Sequence, residues 1–508
     1  MKGRAFKVLM LVHRYLGIAV GLVMVAWCLS GFVMMYQGYP DLSESRRLSG
    51  LAPLDYSGCC ASIELSDADA ADLSGFRVEM LAGRPVAHLT GGEGARVVDL
   101  TTGQSFGPIT SAVARDVAGR QGCALGVTGE PARVDVIDQD QWSIQQARRH
   151  RPVYRIRFDD AARTDIYVSG KTGQAFQHTD SRIRLLGWLG AVPHWLYPTI
   201  LRQNGALWND VVVWLSVAGT FLTATGLYVG VSHLKRRRNG RWSPFRGLWL
   251  WHHMIGLTFG VLTLTWVFSG LMTMNPWGLL EGGSQRDIRQ ALEGDVSSTR
   301  VAESLQQVMA QGSAGGAAQV STASVGGRVW LVSQAADGQR IRLGPDGRST
   351  PMNLAQLDAL VAPLLPLSAG LMFEEDAYFY RRSKSEPLRL PVYRAILADD
   401  QATRLYLDAQ TGEVRRIVDR DARISRWVRN GLHSLDFAGL RARPIWDLVV
   451  LPLLFGVTLV CGTGLWMSWR RAGRDLAGLK ATLARLRGFG RVRRRREFSP
   501  ERPASNLE

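Results

Sequence analysis

The sequence predicts an α-helical membrane protein: four transmembrane helices in two parallel copies, each copy carrying an inserted α+β region between its two helices. Three observations predict this. Four apolar runs are long enough to cross a bilayer, which takes roughly 20 residues of helix. The surplus positive charge lies only beside those runs. Motifs from the first half recur in the second at one offset.

The 508 residues carry 61 Lys+Arg against 44 Asp+Glu, a net charge of +17. Lys2, Arg4 and Lys7, then Lys235, Arg236, Arg237, Arg238, Arg241 and Arg246, then the stretch 470–508, hold the whole excess. Cytoplasmic segments of multi-pass proteins carry such an excess next to their spans. A nucleic-acid surface would not need to flank apolar runs. The composition also excludes a disordered chain, a collagen-like repeat and a disulfide scaffold.

In chain order, residues 1–36 read as a cytoplasmic N-terminus and first helix, too long for a signal-peptide core. Residues 37–207 form a first periplasmic region and 208–233 the second helix. Residues 234–247 form a basic cytoplasmic loop and 248–274 the third helix. Residues 275–444 form a second periplasmic region, 445–469 the fourth helix, and 470–508 a basic cytoplasmic tail. Trp and Tyr crowd the span ends (Tyr36, Trp208, Trp249, Trp277, Trp446, Trp469), as interfacial belts do.

The duplication is legible at an offset of 239 residues, the separation of His13 and His252. Gly17 then meets Gly256, Trp27 meets Trp266, Pro152-Val-Tyr-Arg155 meets Pro391-Val-Tyr-Arg394, Trp188 meets Trp427 and His194 meets His433. After one deletion, Thr225-Gly-Leu227 meets Thr463-Gly-Leu465. Both copies start on the same side, so a pseudo-twofold axis is expected along the membrane normal. Within the inserted regions, Val97–Gly103, Ile166–Gly173 and Leu405–Gly412 alternate and end in a Gly turn, the pattern of β-hairpins. Gln339–Gly347 is a degenerate version, and helices are expected at about 297–311 and 353–364. Of five cysteines, Cys28 and Cys461 fall in spans. Cys59, Cys60 and Cys123 fall in the first inserted region, where a bridge from the vicinal pair to Cys123 is one available pairing.

Nine histidines carry the functional signal. His88, His150 and His178 have no repeat partner and read as ordinary module residues. An ionisable residue in a span is a functional candidate. A twofold axis brings His13 to face His252 and His194 to face His433. Two facing imidazoles are what bis-histidine haem ligation needs. Gly17 and Gly256, one turn on from His13 and His252, would leave room for a flat porphyrin, with Gly31 and Gly270 returning to that face; the same glycines suit close helix packing. His253 is the alternative to His252, and His233 reads as an interfacial residue. Two b-type haems are therefore expected, one near each membrane face, with Arg14, Arg202, Arg441 or Arg443 available to their propionates or simply snorkelling at the interface.

The His-x-x-x-Gly span start, the hairpins ending Thr-Gly, and Leu432-His433 ahead of a span ending Thr463-Gly-Leu-Trp466 together resemble the PepSY-associated transmembrane family, also described as iron-regulated inner-membrane proteins. The resemblance covers about residues 5–475. It implies PepSY-like periplasmic modules and similarity to the family's di-haem ferric-siderophore reductases, which pass electrons across the inner membrane to a siderophore-bound Fe(III) and release iron. It implies a ferric siderophore or other ferric chelate as partner. The third span begins His252-His253 where the first has His13-Arg14, which leaves the ligand in that span open.

No Walker loop, HExxH or GxSxG elbow occurs, and Gly91–Gly94 and Gly312–Gly316 read as plain loops. The electron donor is then a membrane quinol or a separate cytoplasmic reductase. Trp142 and Phe373–Arg382 are candidate substrate-lining stretches. The competing readings are a haem-free PepSY-type binding or sensory protein and a transporter of the chelate; the second and fourth spans offer little polar lining for the latter.

Overall fold

A computed structural model describes residues 2–497 apart from 58, 62, 64–72, 92–95, 239, 281–283, 312–315 and 382–387. Most of the two glycine-rich stretches, Arg382 and the last residues of the tail therefore lie outside the described residues. The chain divides into a helical unit (residues up to Phe32, Val211–Leu271 and from Ala442) and an α+β unit (Val33–Asp210 and Met272–Arg441).

Among the described residues, four helices are long and apolar enough to cross a membrane: Gly3–Met34, Gly205–His233, Leu248–Thr273 and Ile445–Thr482. The second begins three residues before the sequence reading placed it. The fourth helix runs on to Glu497, so the basic stretch expected as a tail continues as helix. Beyond Trp469 its many Arg, Leu and Ala are good helix formers.

Glycines set the packing of the helical unit. A Cβ on Gly17 would meet the Ser468 hydroxyl at 3.1 Å, one on Gly21 would meet Leu465 at 3.4 Å, and one on Gly31 would meet Leu454 at 3.5 Å. The first helix thus lies against the fourth, with Cys28 Sγ 3.6 Å from Cys461 Sγ. Gly260 meets Leu227 at 2.6 Å, which brings the third helix against the second. Gly219 of the second helix lies between Met24 of the first and Val267 of the third, and Gly456 of the fourth receives the Phe259 ring of the third. The first and third helices therefore each contact both the second and the fourth.

Among the described residues, the α+β unit holds three antiparallel sheets. Strands β1 (Gly75–Leu81), β2 (Arg84–Thr90) and β3 (Arg96–Asp99) join β8 (Gln319–Val325), β9 (Arg328–Gln334) and β10 (Arg340–Leu343) in the order β10-β9-β8-β1-β2-β3. The seam pairs Val78 with Val320. Sequence reasoning kept the two inserted regions apart as separate modules, but one sheet runs through both. Edge-to-edge pairing depends on contacts distant in sequence, and local alternation carries no sign of it.

Each region also has its own four-stranded sheet. The first is β4 (Pro131–Ile137), β5 (Val153–Phe158), β6 (Asp165–Ser169) and β7 (Ala175–Thr179); the second is β11 (Pro366–Met372), β12 (Val392–Leu397), β13 (Arg404–Asp408) and β14 (Val414–Val418). Registers recur between them: Val153 opposes Ser169, and Val392 opposes Asp408. Gly173 and Gly412, at φ +72° and +76°, close the last hairpin of each. Helices Ser111–Ala124 and Leu354–Val361 cover these sheets.

Cys59 and Cys60 are bonded to each other, and Cys123 is free and exposed. The bridge to Cys123 does not form. The vicinal pair packs on the six-stranded sheet, whereas Cys123 ends the helix over β4 to β7, a different core.

Candidate functional site

Similar local elements lead to His194 and to His433. In the α+β unit, Asp180 caps helix Ser181–Leu189 by accepting from Ile183 N at 2.6 Å, and Asp419 caps helix Arg420–Ser425 by accepting from Ala422 N at 2.8 Å. Each helix leads into a second helical segment, Ala191–His194 in one and Arg426–His433 in the other, that ends on the candidate histidine. Two residues later the chain turns through a left-handed residue, Leu196 in one copy and Leu435 in the other, both at φ +50°. Leucine disfavours that region, by about 1–3 kcal/mol, and holds it only where the surroundings dictate it.

The rings of His194 and His433 stand 6.2 Å apart, centre to centre, with planes 61° apart. Two imidazoles that share one metal on a common axis stand roughly 6 Å apart, given metal–nitrogen bonds of about 2 Å. This spacing fits a shared haem iron. No cluster of three or more His, Cys, Asp or Glu side chains that could hold a metal occurs among the described residues.

In the helical unit, His13 Nδ1 lies 3.0 Å from the Leu222 carbonyl. A carbonyl only accepts, so Nδ1 carries the proton and Nε2 keeps its lone pair. His252 Nδ1 lies 2.9 Å from Thr463 Oγ1, whose single proton is directed to the Leu459 carbonyl at 2.7 Å. Nδ1 of His252 is therefore the donor, and its Nε2 is likewise the free acceptor. His253 differs. Its Nε2 donates to the Gly230 carbonyl at 2.8 Å and its Nδ1 accepts from Ser243 at 2.8 Å, leaving no lone pair for a metal. Of the two, His252 alone keeps an Nε2 lone pair, and His253 ties the 234–247 loop to the third helix. His233 donates from Nδ1 to the Val229 carbonyl at 2.8 Å and lies between the Phe6 and Phe245 rings.

The sequence reading missed what makes room for these rings. A Cβ on Gly226 would stand 2.6 Å from His13 Cε1, and one on Gly464 would stand 3.1 Å from His252 Cε1. Gly226 and Gly464 are the central residues of the repeated Thr-Gly-Leu triplet. That repetition was the available signal, but it does not say which ring the glycine faces. Gly17 packs on Ser468 and Gly31 packs on Leu454, the close helix packing that these glycines also suit. Their place on the helix-packing stripe decides this. A Cβ on Gly256 would meet nothing within 4 Å.

The arginines separate as well. Arg441 pairs with Asp436 at 3.1 Å and Glu375 at 3.6 Å and stacks on Tyr380. Arg443 pairs with Asp447 at 2.7 Å. Arg202 lies over the rings of Tyr197 and Trp208. Arg14 is half-buried. Trp142 is buried between Tyr39 and Trp188, which removes it as a surface lining residue. In the second stretch Phe373 is exposed, while Tyr380 is buried and donates to Asp436 at 2.6 Å.

The unpaired histidines behave as module residues. Burial, with Arg149 and Lys171 nearby, pushes His150 down to about 4, and its ring stacks on Phe176 at 4.1 Å. Burial also lowers His178. His88 lies 3.0 Å from Glu79. Burial alone would raise the Glu79 carboxyl, but Arg47, His88 and Arg77 override it and hold it well below the usual range.

Four apolar helices joined by α+β regions define a multi-pass membrane protein. The model of the PepSY-associated TM region matches residues 10–471, and the chain belongs to that family. No curated protein matches it.

Proposed function

We propose that this protein is a bacterial inner-membrane oxidoreductase holding two haems, one on His13 and His252 and one on His194 and His433. It would pass electrons across the bilayer to a ferric chelate, of siderophore type, in the periplasm. In this reading the two halves are copies of one span–module–span unit, and the basic segments keep both termini and the 234–247 loop in the cytoplasm. The observation that carries the proposal is the 6.2 Å separation of the His194 and His433 rings.

A b-type haem with two imidazole ligands supplies a one-electron couple with no open coordination position, which suits transfer over oxygen chemistry. The chain's own residues do the rest. The Leu222 carbonyl and Thr463 hydroxyl hold Nδ1–H of His13 and His252, so each Nε2 is presented in the ligating tautomer. Leu196 and Leu435 bend the chain directly after His194 and His433 and hold the two rings at one spacing. A one-electron reduction of Fe(III) to Fe(II) weakens an oxygen-donor chelate and frees the metal without destroying the carrier. The electron donor would be a membrane quinol or a cytoplasmic reductase.

The test is an absorption spectrum of the detergent-purified protein, oxidised and dithionite-reduced, with a pyridine haemochrome assay. A sharp reduced α-band and about two haems per chain is the expected result. Single replacement of His13, His194, His252 or His433 should each remove or alter one haem, and His253→Ala should retain both. A colourless protein from haem-sufficient cells would leave a haem-free PepSY-type binding or sensory protein as the reading.

A further inference from the structure

Arg202 and Arg441 occupy the same position in the two copies, 239 residues apart. Their surroundings differ. The guanidinium of Arg441 has Asp436 and Glu375 against it. The position equivalent to Asp436 is Tyr197, and no acidic side chain among the described residues pairs with Arg202. Its guanidinium lies 5.1 Å from the Tyr197 ring centre and 4.8 Å from that of Trp208, and its Nε is buried with no hydrogen-bond partner. Trp208 in turn donates from its indole N–H to the Trp195 carbonyl at 2.9 Å, on the residue next to His194. An uncompensated cation therefore sits in an aromatic box one ring away from the histidine pair.

We propose that Arg202 is the seat of an oxyanion of the carboxylate class beside the His194–His433 pair. A planar guanidinium offers paired N–H donors that match a carboxylate, and ring faces on two sides hold the plane in place. The second copy needs no such ligand, because Asp436 and Glu375 already neutralise Arg441. Two sources share this chemistry: a propionate of a haem held by the pair, or a carboxylate of a free small molecule. The first source rests on the haem reading above, and the second does not.

The experiment uses the full chain in detergent, as wild type and Arg202→Gln, loaded with haem or with haem dimethyl ester, whose propionates carry no charge. Citrate is the free-carboxylate probe, followed by tryptophan fluorescence. If a propionate occupies the seat, Arg202→Gln speeds the loss of one haem to apomyoglobin, and the difference from wild type vanishes in the ester-loaded protein. If a free carboxylate occupies it, the haem-loss rates agree, and citrate alters the fluorescence of wild type but not of the variant. The citrate arm is also read on protein without haem, so the absence of haem and the absence of the seat are separate results. Wild type and variant agreeing in both arms would overturn the proposal. Should Arg202→Gln fail to fold, wild type decides: a citrate response that weakens with salt supports the seat, and no response together with equal ester and haem loss rates overturns it.

Discussion

The backbone after His194 and the backbone after His433 take the same turn, and the side chains on them do opposite things. The first copy reads His194-Trp-Leu-Tyr197 and builds an aromatic cluster, in which Tyr39 meets Trp195 at 5.9 Å and Tyr197 at 5.4 Å. The second reads His433-Ser-Leu-Asp436 and builds a charge network of Asp436, Arg426, Arg441, Glu375 and Tyr380. The turn geometry is common to both stretches, whereas the side chains around it differ in charge.

The largest effect expected on this comparison comes from the histidines themselves. Replacing either His194 or His433 by Ala should remove the same haem, lowering the haemochrome yield from about two per chain to about one. Losing both haems with one substitution, or neither, would break the pairing.

Next come the charges. Asp436→Ala leaves the buried Arg426 guanidinium with only carbonyl acceptors, and removing one partner of a buried pair costs about 3 kcal/mol. Tyr197→Phe at the equivalent position keeps the ring faces and should cost well under 1 kcal/mol by the same thermal melt. Equal losses would mean that the two surroundings are not as different as their contacts.

The inner pair offers a finer contrast. Gly226→Ala drives a methyl to 2.6 Å from a His13 ring already pinned by the Leu222 carbonyl, and overpacking of that kind costs about 1–3 kcal/mol. Gly464→Ala, at 3.1 Å, asks less of His252. The first should shift the reduced spectrum more than the second.

The smallest effect concerns pH. His150 has Arg389 as its repeat equivalent, so only the first copy carries this titration. Its folded-state pKa is pushed down to about 4, below the unfolded value near 6.5. The neutral ring therefore contributes stability above pH 6.5, which is lost progressively as pH falls toward 4. A melt series from pH 7 to 4 should show a shallower decline for His150→Phe, which keeps the stack on Phe176.

The sequence by itself determined what chain-local physics can encode. Apolar length placed the four helices to within a few residues, except where Arg-rich but helix-forming sequence carried the fourth past its membrane segment. Alternation ending in Thr-Gly placed the hairpins, because a turn at positive φ favours glycine. Repetition singled out His13, His194, His252 and His433, since it compares one part of the chain with another without knowing where either lies.

Tertiary structure alone decided the rest. Which partner a histidine nitrogen faces depends on a neighbouring helix, so the different bonding of His252 and His253 waited on Thr463, Gly230 and Ser243. Whether a glycine clears space or packs depends on what stands opposite, which assigned Gly226 to the ring of His13 and Gly17 to Ser468. The fusion of both inserted regions into one six-stranded sheet, and the difference between Arg202 and Arg441, have the same cause. Each is set by contacts between residues far apart in the chain, and local pattern carries no record of such contacts.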